Sequence, residues 1–174
     1  MKTKLLKFSA LFAILCLVAC TVNEISVALD VAAMAVEVAS GTIGSVTSIP
    51  PATAADIVAG LNAADTALTT AARDLQSGSI SAEQIASISE ALAAAVLQLN
   101  SVSNSLPPIA KVAIEAVISG VQAFLTLWEG EKANLKVAGL GPYRVHLTWQ
   151  DKRNIEAGLK SLQNARDNLL KLKK

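Results

Sequence analysis

Apolar side chains recur along most of this chain at intervals of three and four residues, and this spacing constrains its fold more than any other feature. Residues at these intervals share one face of an α-helix, and that face must be buried against another element. Similar runs over residues 25–36, 85–102 and 155–169 predict that most of the chain is helical. The clearest run comprises Ile57, Leu61, Ala64, Leu68, Ala72 and Leu75.

The composition favours the same fold class. Alanine, the best helix former, is abundant, whereas aromatic residues make up only 3% of the chain. Small side chains also let neighbouring helices approach closely. We therefore predict an all-α fold, an antiparallel bundle of four to five Ala-rich helices.

Turn residues set the bounds of the first two predicted helices. The first is expected to run from about Val22 to Ser40, because Gly41 and Gly44 interrupt its pattern. The second is expected to begin near Thr53 as its N-cap and to end at Ser77-Gly78.

Three further helix starts are predicted from capping residues: Ser81 with Gln84, the pair Pro107-Pro108, and Thr148 with Asp151. The last helix is expected to run nearly to Lys174. The segment Ser48-Ile49-Pro50-Pro51 matches Ser105-Leu106-Pro107-Pro108 at an offset of 57 residues. A duplicated unit and two independent Pro-Pro helix starts both explain this match.

The N-terminal segment has the features of a secretory signal. Lys2, Lys4 and Lys7 precede an apolar run of about 12 residues that begins at Phe8, and small residues follow before Cys20. An uncleaved membrane anchor is the alternative, but a spanning helix needs about 20 residues. The last four residues of the segment are Leu17-Val18-Ala19-Cys20.

These four residues resemble the lipobox of bacterial lipoproteins, and the resemblance covers about the first 21 residues. It implies that Leu17, Val18 and Ala19 are read by the signal peptidase and that Cys20 becomes a lipidated N-terminus. Cys20 would then carry a diacylglycerol thioether and an amide-linked acyl chain such as palmitate. Two or more acyl chains give stable anchoring, so membrane lipid is the expected partner.

The resemblance also implies a location in the bacterial cell envelope. Thr21, rather than aspartate, would follow the lipidated cysteine, which in Gram-negative lipoproteins resembles the pattern exported to the outer membrane. The predicted organisation is a signal peptide over residues 1–19, an acidic Ala-rich bundle over 20–147, and a basic C-terminal helix over 148–174 that packs on the same domain. No disulfide is expected, because Cys20 is the only cysteine after cleavage.

Charge is distributed unevenly along the mature chain. Residues 20–131 contain eleven acidic and two basic residues, a net charge of −9, whereas residues 132–174 have a net charge of +7. The two parts can attract each other within one bundle, or they can present separate faces to partners. For an exported protein, contact with anionic lipid or an acidic protein is expected, and contact with nucleic acid is not.

Residues 109–128 are long and apolar enough to span a bilayer. However, polar residues recur along them at helical spacing, which predicts one solvent-facing stripe on the central helix of a soluble bundle. A membrane-active protein whose helix inserts over 109–128 is the alternative. The polar residues are Lys111, Glu115, Ser119, Gln122, Thr126 and Glu129.

Nothing in the sequence predicts catalysis, a metal site or a cofactor. His146 is the only histidine, and neither a paired metal ligand nor a Gly-x-Ser-x-Gly motif accompanies it. Gly139-Leu140-Gly141 lacks the third glycine of a phosphate-binding loop and precedes Pro142, so we interpret it as a turn. We therefore expect a non-enzymatic structural or interaction module.

One cluster of large side chains stands out near the C-terminal helix. Aromatic and arginine residues dominate the energetics of many interfaces, so this cluster is a candidate contact surface for an envelope protein. Alternatively, these side chains fold back and plug one end of an Ala-rich bundle. The cluster comprises Trp128, Tyr143, Arg144, His146, Trp149 and Arg153.

Overall fold

The chain forms an all-α bundle, as the apolar spacing predicts. The computed structural model describes the backbone of residues 2–138 and 143–172, and the side chains of residues 22–130 and 145–172. Five helices and two short strands lie within these ranges: α1 (Lys2–Ser45), α2 (Pro51–Ser77), β1 (Ser79–Ile80), α3 (Ala82–Ser103), α4 (Pro108–Ala138), β2 (Tyr143–Arg144) and α5 (Trp149–Leu172).

The first four helices alternate in direction because short connections join them. α1 packs against α2, α4 and α5, whereas α3 packs between α2 and α4. The last helix, α5, lies against α1 and α2 and runs parallel to α1. Ser26 of α1 bonds to Asp151 near the start of α5, and Ser40 bonds to Asn168 near its end.

α1 is longer than predicted at both ends. It does not stop at Ser40 but continues to Ser45, and residues 2–19 are its first part rather than a separate element. The two glycines that were expected to end it face α5: a Cβ at Gly41 would lie 3.6 Å from Nδ2 of Asn168, and one at Gly44 would lie 3.0 Å from Cδ2 of Leu172. A glycine inside a helix costs about 1 kcal/mol relative to alanine. Packing of α5 against this turn offsets that cost.

Most of the predicted helix boundaries are confirmed by their capping bonds. Gly78 ends α2 with a φ of 72°, and its N–H donates to the carbonyl oxygen of Leu75. Ser81 and Gln84 form a reciprocal capping box at the start of α3, with bonds of 2.7 and 3.2 Å. The prediction of Thr53 as the N-cap of α2 was wrong, because the helix begins at Pro51.

The two Pro-Pro pairs have the same role in the structure. The carbonyl oxygens of Pro50 and Pro107 each accept a helical hydrogen bond of 2.9 Å, from the N–H groups of Ala54 and Lys111. Proline suits this position because its missing N–H would have no helical partner there.

Small residues at the helix crossings set the spacing of the bundle. A Cβ at Gly120 of α4 would lie 3.2 Å from the Cα of Ala32 in α1, and one at Gly158 of α5 would lie 3.3 Å from the Cα of Asp30. These distances show that α4 and α5 approach the backbone of α1 closely. The prediction that α4 is the central helix was therefore wrong. α1 packs against three helices, whereas α4 packs against α1 and α3.

Candidate functional site

The proposed lipid-attachment residue, Cys20, lies in α1 two residues before Val22, the first residue whose side chain the structure describes. α1 passes through residues 17–20 as helix, and the side chains of Leu17, Val18, Ala19 and Cys20 lie outside the described residues. Two residues after Cys20, the side chain of Val22 is buried in the core. A group attached to Cys20 would therefore lie at the end of the bundle that contains Val22, which we call the proximal end.

The proximal end is also where the predicted contact cluster meets the bundle. β1 pairs with β2 in antiparallel register, Ile80 opposite Tyr143 and Ser79 opposite Arg144. The pairing continues where the N–H of Val145 donates to the carbonyl oxygen of Gly78 at 2.9 Å. The segment before α5 is thereby tied to the end of α2.

Trp128 does not belong to an exposed surface. Its side chain is 1% exposed, and its ring stacks on Phe124 with a centroid separation of 5.3 Å and an interplanar angle of 24°. Its Nε1 atom has no hydrogen-bond partner among the described residues. Trp128 therefore packs inside the bundle, as the alternative interpretation of the cluster expects. It does not belong to the predicted contact surface.

Three other members of the cluster lie differently. Trp149 is 68% exposed, and the guanidinium carbon of Arg153 lies 4.7 Å from the centroid of its indole ring. This distance is within the range of a cation–π interaction, which holds both side chains in one arrangement. His146 is exposed nearby in sequence, and the side chains of Tyr143 and Arg144 lie outside the described residues.

A buried polar network fixes the N-terminus of α5 below this exposed pair. Oδ2 of Asp151 accepts hydrogen bonds from the N–H and Oγ1 of Thr148, at 2.8 and 2.6 Å. Oδ1 of the same carboxylate accepts a bond of 3.1 Å from the hydroxyl of Ser26 in α1. Asn154 in turn donates to the Ser26 oxygen at 3.2 Å. The predicted Thr148–Asp151 cap is confirmed, and it also joins α5 to α1.

Further along α5, polar contacts with α1 and α2 continue. Asn164 donates to Glu37 at 2.8 Å, and Arg166 forms a 2.6 Å ion pair with Asp65 of α2. Burial raises the pKa of Asp65, and the adjacent Arg166 offsets this only in part. The ion pair is an instance of the predicted attraction between the basic and acidic parts of the chain.

Four other basic residues of α5 remain exposed: Lys152, Arg153, Lys160 and Lys171.

The polar stripe on α4 faces outward, as predicted. Lys111 is partly exposed and forms a 3.8 Å ion pair with Glu115, and the remaining members of the stripe are exposed. Nevertheless, three helical segments are long and apolar enough to cross a membrane: Val22–Ser45, Ala82–Ser103 and Pro108–Gly130. The chain is thus compatible with membrane association through more than its N-terminal segment.

An apolar groove lies at the other end of the bundle. Its volume is about 480 Å³, and its lining includes Ile43, Val46, Ile49, Val58 and Leu172. Asn62 contributes an amide to this lining. Among the side chains that the structure describes, no titratable group lines the groove.

Within residues 22–130 and 145–172, no three His, Cys, Asp or Glu side chains come together in a group that could hold a metal ion. The turn predicted at Gly139-Leu140-Gly141 lies outside the described residues. Comparison with known proteins adds no assignment: no family model, no curated protein and no solved structure matches this chain.

Proposed function

We propose that this chain is a bacterial envelope lipoprotein, anchored to a membrane through acylated Cys20, whose helical bundle acts as a non-enzymatic structural or interaction module. The observation that carries the proposal is the sequence Leu17-Val18-Ala19-Cys20 at the end of a short basic-apolar leader. The burial of Val22 supports it, because cleavage before Cys20 leaves the described bundle core intact. The outer membrane is the expected location in a Gram-negative host, since Thr21 follows Cys20.

The two cysteines provide a matched test of the anchor. Cys20→Ser removes the thiol that accepts the lipid, whereas Cys16→Ser changes a residue in the leader that cleavage would discard. We expect Cys20→Ser to lose its acyl mass, and Cys16→Ser to behave as the unmodified chain. Intact-mass analysis of the mature protein measures this. An unacylated Cys20 in the unmodified protein, or a retained leader, would overturn the proposal.

The exposed pair Trp149 and Arg153, together with His146, is the proposed contact surface for an envelope protein. A stacked tryptophan and arginine offer a large, partly ordered area, which suits an interface. Crosslinking in the native host, followed by mass spectrometry, tests the surface. We expect Trp149→Ala to remove a crosslinked partner that the matched variant Leu170→Ala retains, because Leu170 is also an exposed apolar residue of α5. Retention by both variants would remove this surface from the proposal.

A second candidate function is a membrane-active protein with an inserting helix over residues 109–128. The length and apolar character of Pro108–Gly130 favour it. Dye-loaded vesicles and protease protection provide the test, with the non-lipidated domain, residues 20–174 carrying Cys20→Ser, used so that neither acyl chains nor the apolar leader contributes. Leakage together with protection of residues 109–128 supports insertion. Intact vesicles with residues 109–128 open to protease would contradict it.

A further inference from the structure

Most of the large apolar side chains that remain exposed lie on one face formed by α1 and α4. Among the described residues nine such side chains are exposed, and six of them belong to this face, each between 45% and 71% exposed. A contiguous apolar patch of this kind on a folded bundle indicates an interaction surface. We call it the α1–α4 face, and its apolar members are Val27, Val31, Met34, Val38, Ile109 and Val112.

The geometry of the two helices places these six side chains next to one another. Intervals of four, three and four residues align the four members on α1. Ile109 and Val112 are separated by three residues, and Ala116 follows after four more. Ala116 lies one turn before Gly120, which packs on Ala32 of α1. The line on α4 therefore runs beside the line on α1.

Charged and polar residues border the face. Exposed Glu24 lies at one end, seven residues before Val31. Exposed Glu115 and Ser119 flank the line on α4, on the side away from α1. An apolar centre with a polar rim is the anatomy of a protein–protein interface, where rim charges stay in contact with water. A bilayer would instead have to accommodate these carboxylates, so we expect a protein to cover the face.

We propose that a second copy of this chain covers the α1–α4 face, with the two α1 helices parallel about a two-fold axis. The alternating intervals of four and three residues on α1 are those of a helix pair, and a two-fold axis along α1 brings each residue next to its own counterpart. The inference rests on the proposed lipid anchor, because a parallel pair places both Cys20 residues at one end, as attachment to the same membrane requires. An antiparallel pair would place them at opposite ends.

This symmetry determines which helices of the two copies meet beside α1. On α1, Ala32 contacts α4 and Glu37 bonds to α5, on either side of the apolar line. A two-fold axis parallel to α1 therefore lays α4 of each copy over α5 of the other.

Glu24 then gains an oppositely charged neighbour from the second copy. Seven residues fall about 20° short of two full turns, so Glu24 is turned from the apolar line toward α4. Asn154 of α5 bonds to Ser26, so the exposed Arg153 lies at the level of Glu24 along α1. Glu24 of one copy thus faces Arg153 of the other. Glu156, three residues after Arg153, is turned further from α1 and does not oppose this pairing.

The area of the face limits how tightly two copies can bind. A fully exposed side chain of this size contributes roughly 60–120 Å², so the six side chains expose about 200–400 Å² in each copy. Because about 60% of an interface is apolar, two copies would bury about 700–1,300 Å² in total. Weak, transient complexes bury areas of this size, less than the roughly 1,600 Å² of a standard stable interface. Anchoring in one membrane raises the effective concentration of the copies, so a weak pair is sufficient there.

Single cysteines test the pairing in the anchored protein. Once Cys20 is acylated and Cys16 is removed with the leader, Val27→Cys and Val38→Cys each carry one free thiol. The control is Leu97→Cys on α3, which replaces an exposed apolar residue outside the face. Each acylated variant is reconstituted in phosphatidylglycerol–phosphatidylcholine vesicles and oxidised with copper phenanthroline.

We expect Val27→Cys and Val38→Cys each to form at least about fivefold more disulfide-linked dimer than Leu97→Cys, because the bond requires Cα atoms within about 7 Å of each other. Tenfold dilution with lipid should lower the dimer fraction by about threefold or more, because pairing is bimolecular. Equal crosslinking of all three variants would overturn the proposal. A dimer that forms only between a Val27→Cys chain and a Val38→Cys chain would show antiparallel pairing and would overturn the parallel arrangement.

Two further results would also overturn the proposal. One is quenching of a fluorophore on Val31→Cys by brominated lipid without any crosslinked dimer, which would identify the bilayer as the occupant. The other is crosslinking of this residue to a different protein in the native host. Intact mass is measured first on every sample, so that loss of the anchor is distinguished from loss of pairing.

Charge exchange gives an independent measurement of the orientation. In the Met34→Cys background, Glu24→Arg and Arg153→Glu should each lower dimer crosslinking by about twofold or more, because each places like charges opposite each other. The variant that carries both exchanges should recover the original crosslinking. Glu90→Arg on α3 is the control for added positive charge and should leave crosslinking unchanged. No recovery in the double variant would contradict the proposed arrangement.

Discussion

Arg166 and Asp65 join the last helix to the second through a single carboxylate oxygen. Nε and Nη2 of Arg166 donate to Oδ2 of Asp65 at 3.2 and 2.6 Å, and Nη2 also lies 3.5 Å from the hydroxyl oxygen of Thr69. The Asp65 side chain is 2% exposed, whereas that of Arg166 is 47% exposed. Oδ1 of Asp65 has no partner among the described side chains. The buried carboxylate thus depends on one half-exposed guanidinium.

Removing the guanidinium is expected to destabilise the bundle because it leaves a buried charge without a partner. For Arg166→Met we expect the free energy of unfolding to fall by about 1–3 kcal/mol, less than for a fully buried pair because water screens Arg166 in part. Lys160→Met is the matched control, since Lys160 is exposed on the same helix. Urea denaturation of both variants measures the difference. Equal stability of the two variants would show that the ion pair contributes nothing.

Asp65 should also make stability depend on pH. Burial raises its pKa above the ordinary value of 3.8, so between that value and the raised pKa the folded state binds more protons than the unfolded state. The free energy of unfolding therefore falls as the pH rises through this window. Asp65→Asn has no carboxyl group at this position, so its free energy of unfolding lacks this pH dependence. We expect the free energy of unfolding of Asp65→Asn, relative to that of the unmodified protein, to increase from pH 3.5 to pH 7. A difference that shrinks over this range would contradict the raised pKa.

The helical fold was predictable because local signals and packing agree over most of the chain. The apolar runs on α2 and α3 are buried as their spacing predicts, and the run on α5 is buried except for the partly buried Leu159. The caps at Ser81 and Thr148 form the expected hydrogen bonds. The predicted helix boundaries were wrong where tertiary packing overrides the local helix preference of the residues. Gly41 and Gly44 would end an isolated helix, but α5 packs against them, and its position could not be read from residues 40–45 alone.

The candidate surfaces were less predictable, because tertiary packing decides which of the neighbouring residues are buried. Sequence proximity grouped Trp128 with Trp149, although the first is buried against Phe124 and the second is exposed beside Arg153. The intervals between Val27, Val31, Met34 and Val38 were visible in the sequence. However, α1 carries a second apolar run through Ile25, Leu29, Ala32 and Val36, and spacing alone does not decide which of two runs is buried.

The close approach of α4 and α5 to α1 predicts that an added methyl group is costly at two glycines. In Gly120→Ala and Gly158→Ala the new Cβ would meet backbone atoms at 3.2 and 3.3 Å, which cannot move aside independently. We expect each change to lower the free energy of unfolding by about 1–3 kcal/mol, although alanine favours helix. At Gly130 nothing lies within 4 Å of the added carbon, so Gly130→Ala should be neutral or stabilising by up to about 1 kcal/mol. Thermal unfolding compares the three, and a stabilised Gly158→Ala would show that the helices separate readily.

Asp151 should control how firmly α5 is held on the bundle. Its carboxylate is fully buried and accepts bonds from Thr148 and Ser26, so Asp151→Ala removes a helix cap and a link to α1 together. We expect a loss of about 2–3 kcal/mol in stability, and faster amide hydrogen exchange over residues 152–172 than over α3. Asp167→Ala, an exposed position on the same helix, is the control and should change neither quantity. If exchange accelerates equally in α3 and α5, the helix opens only with the whole bundle and Asp151 is not a local link.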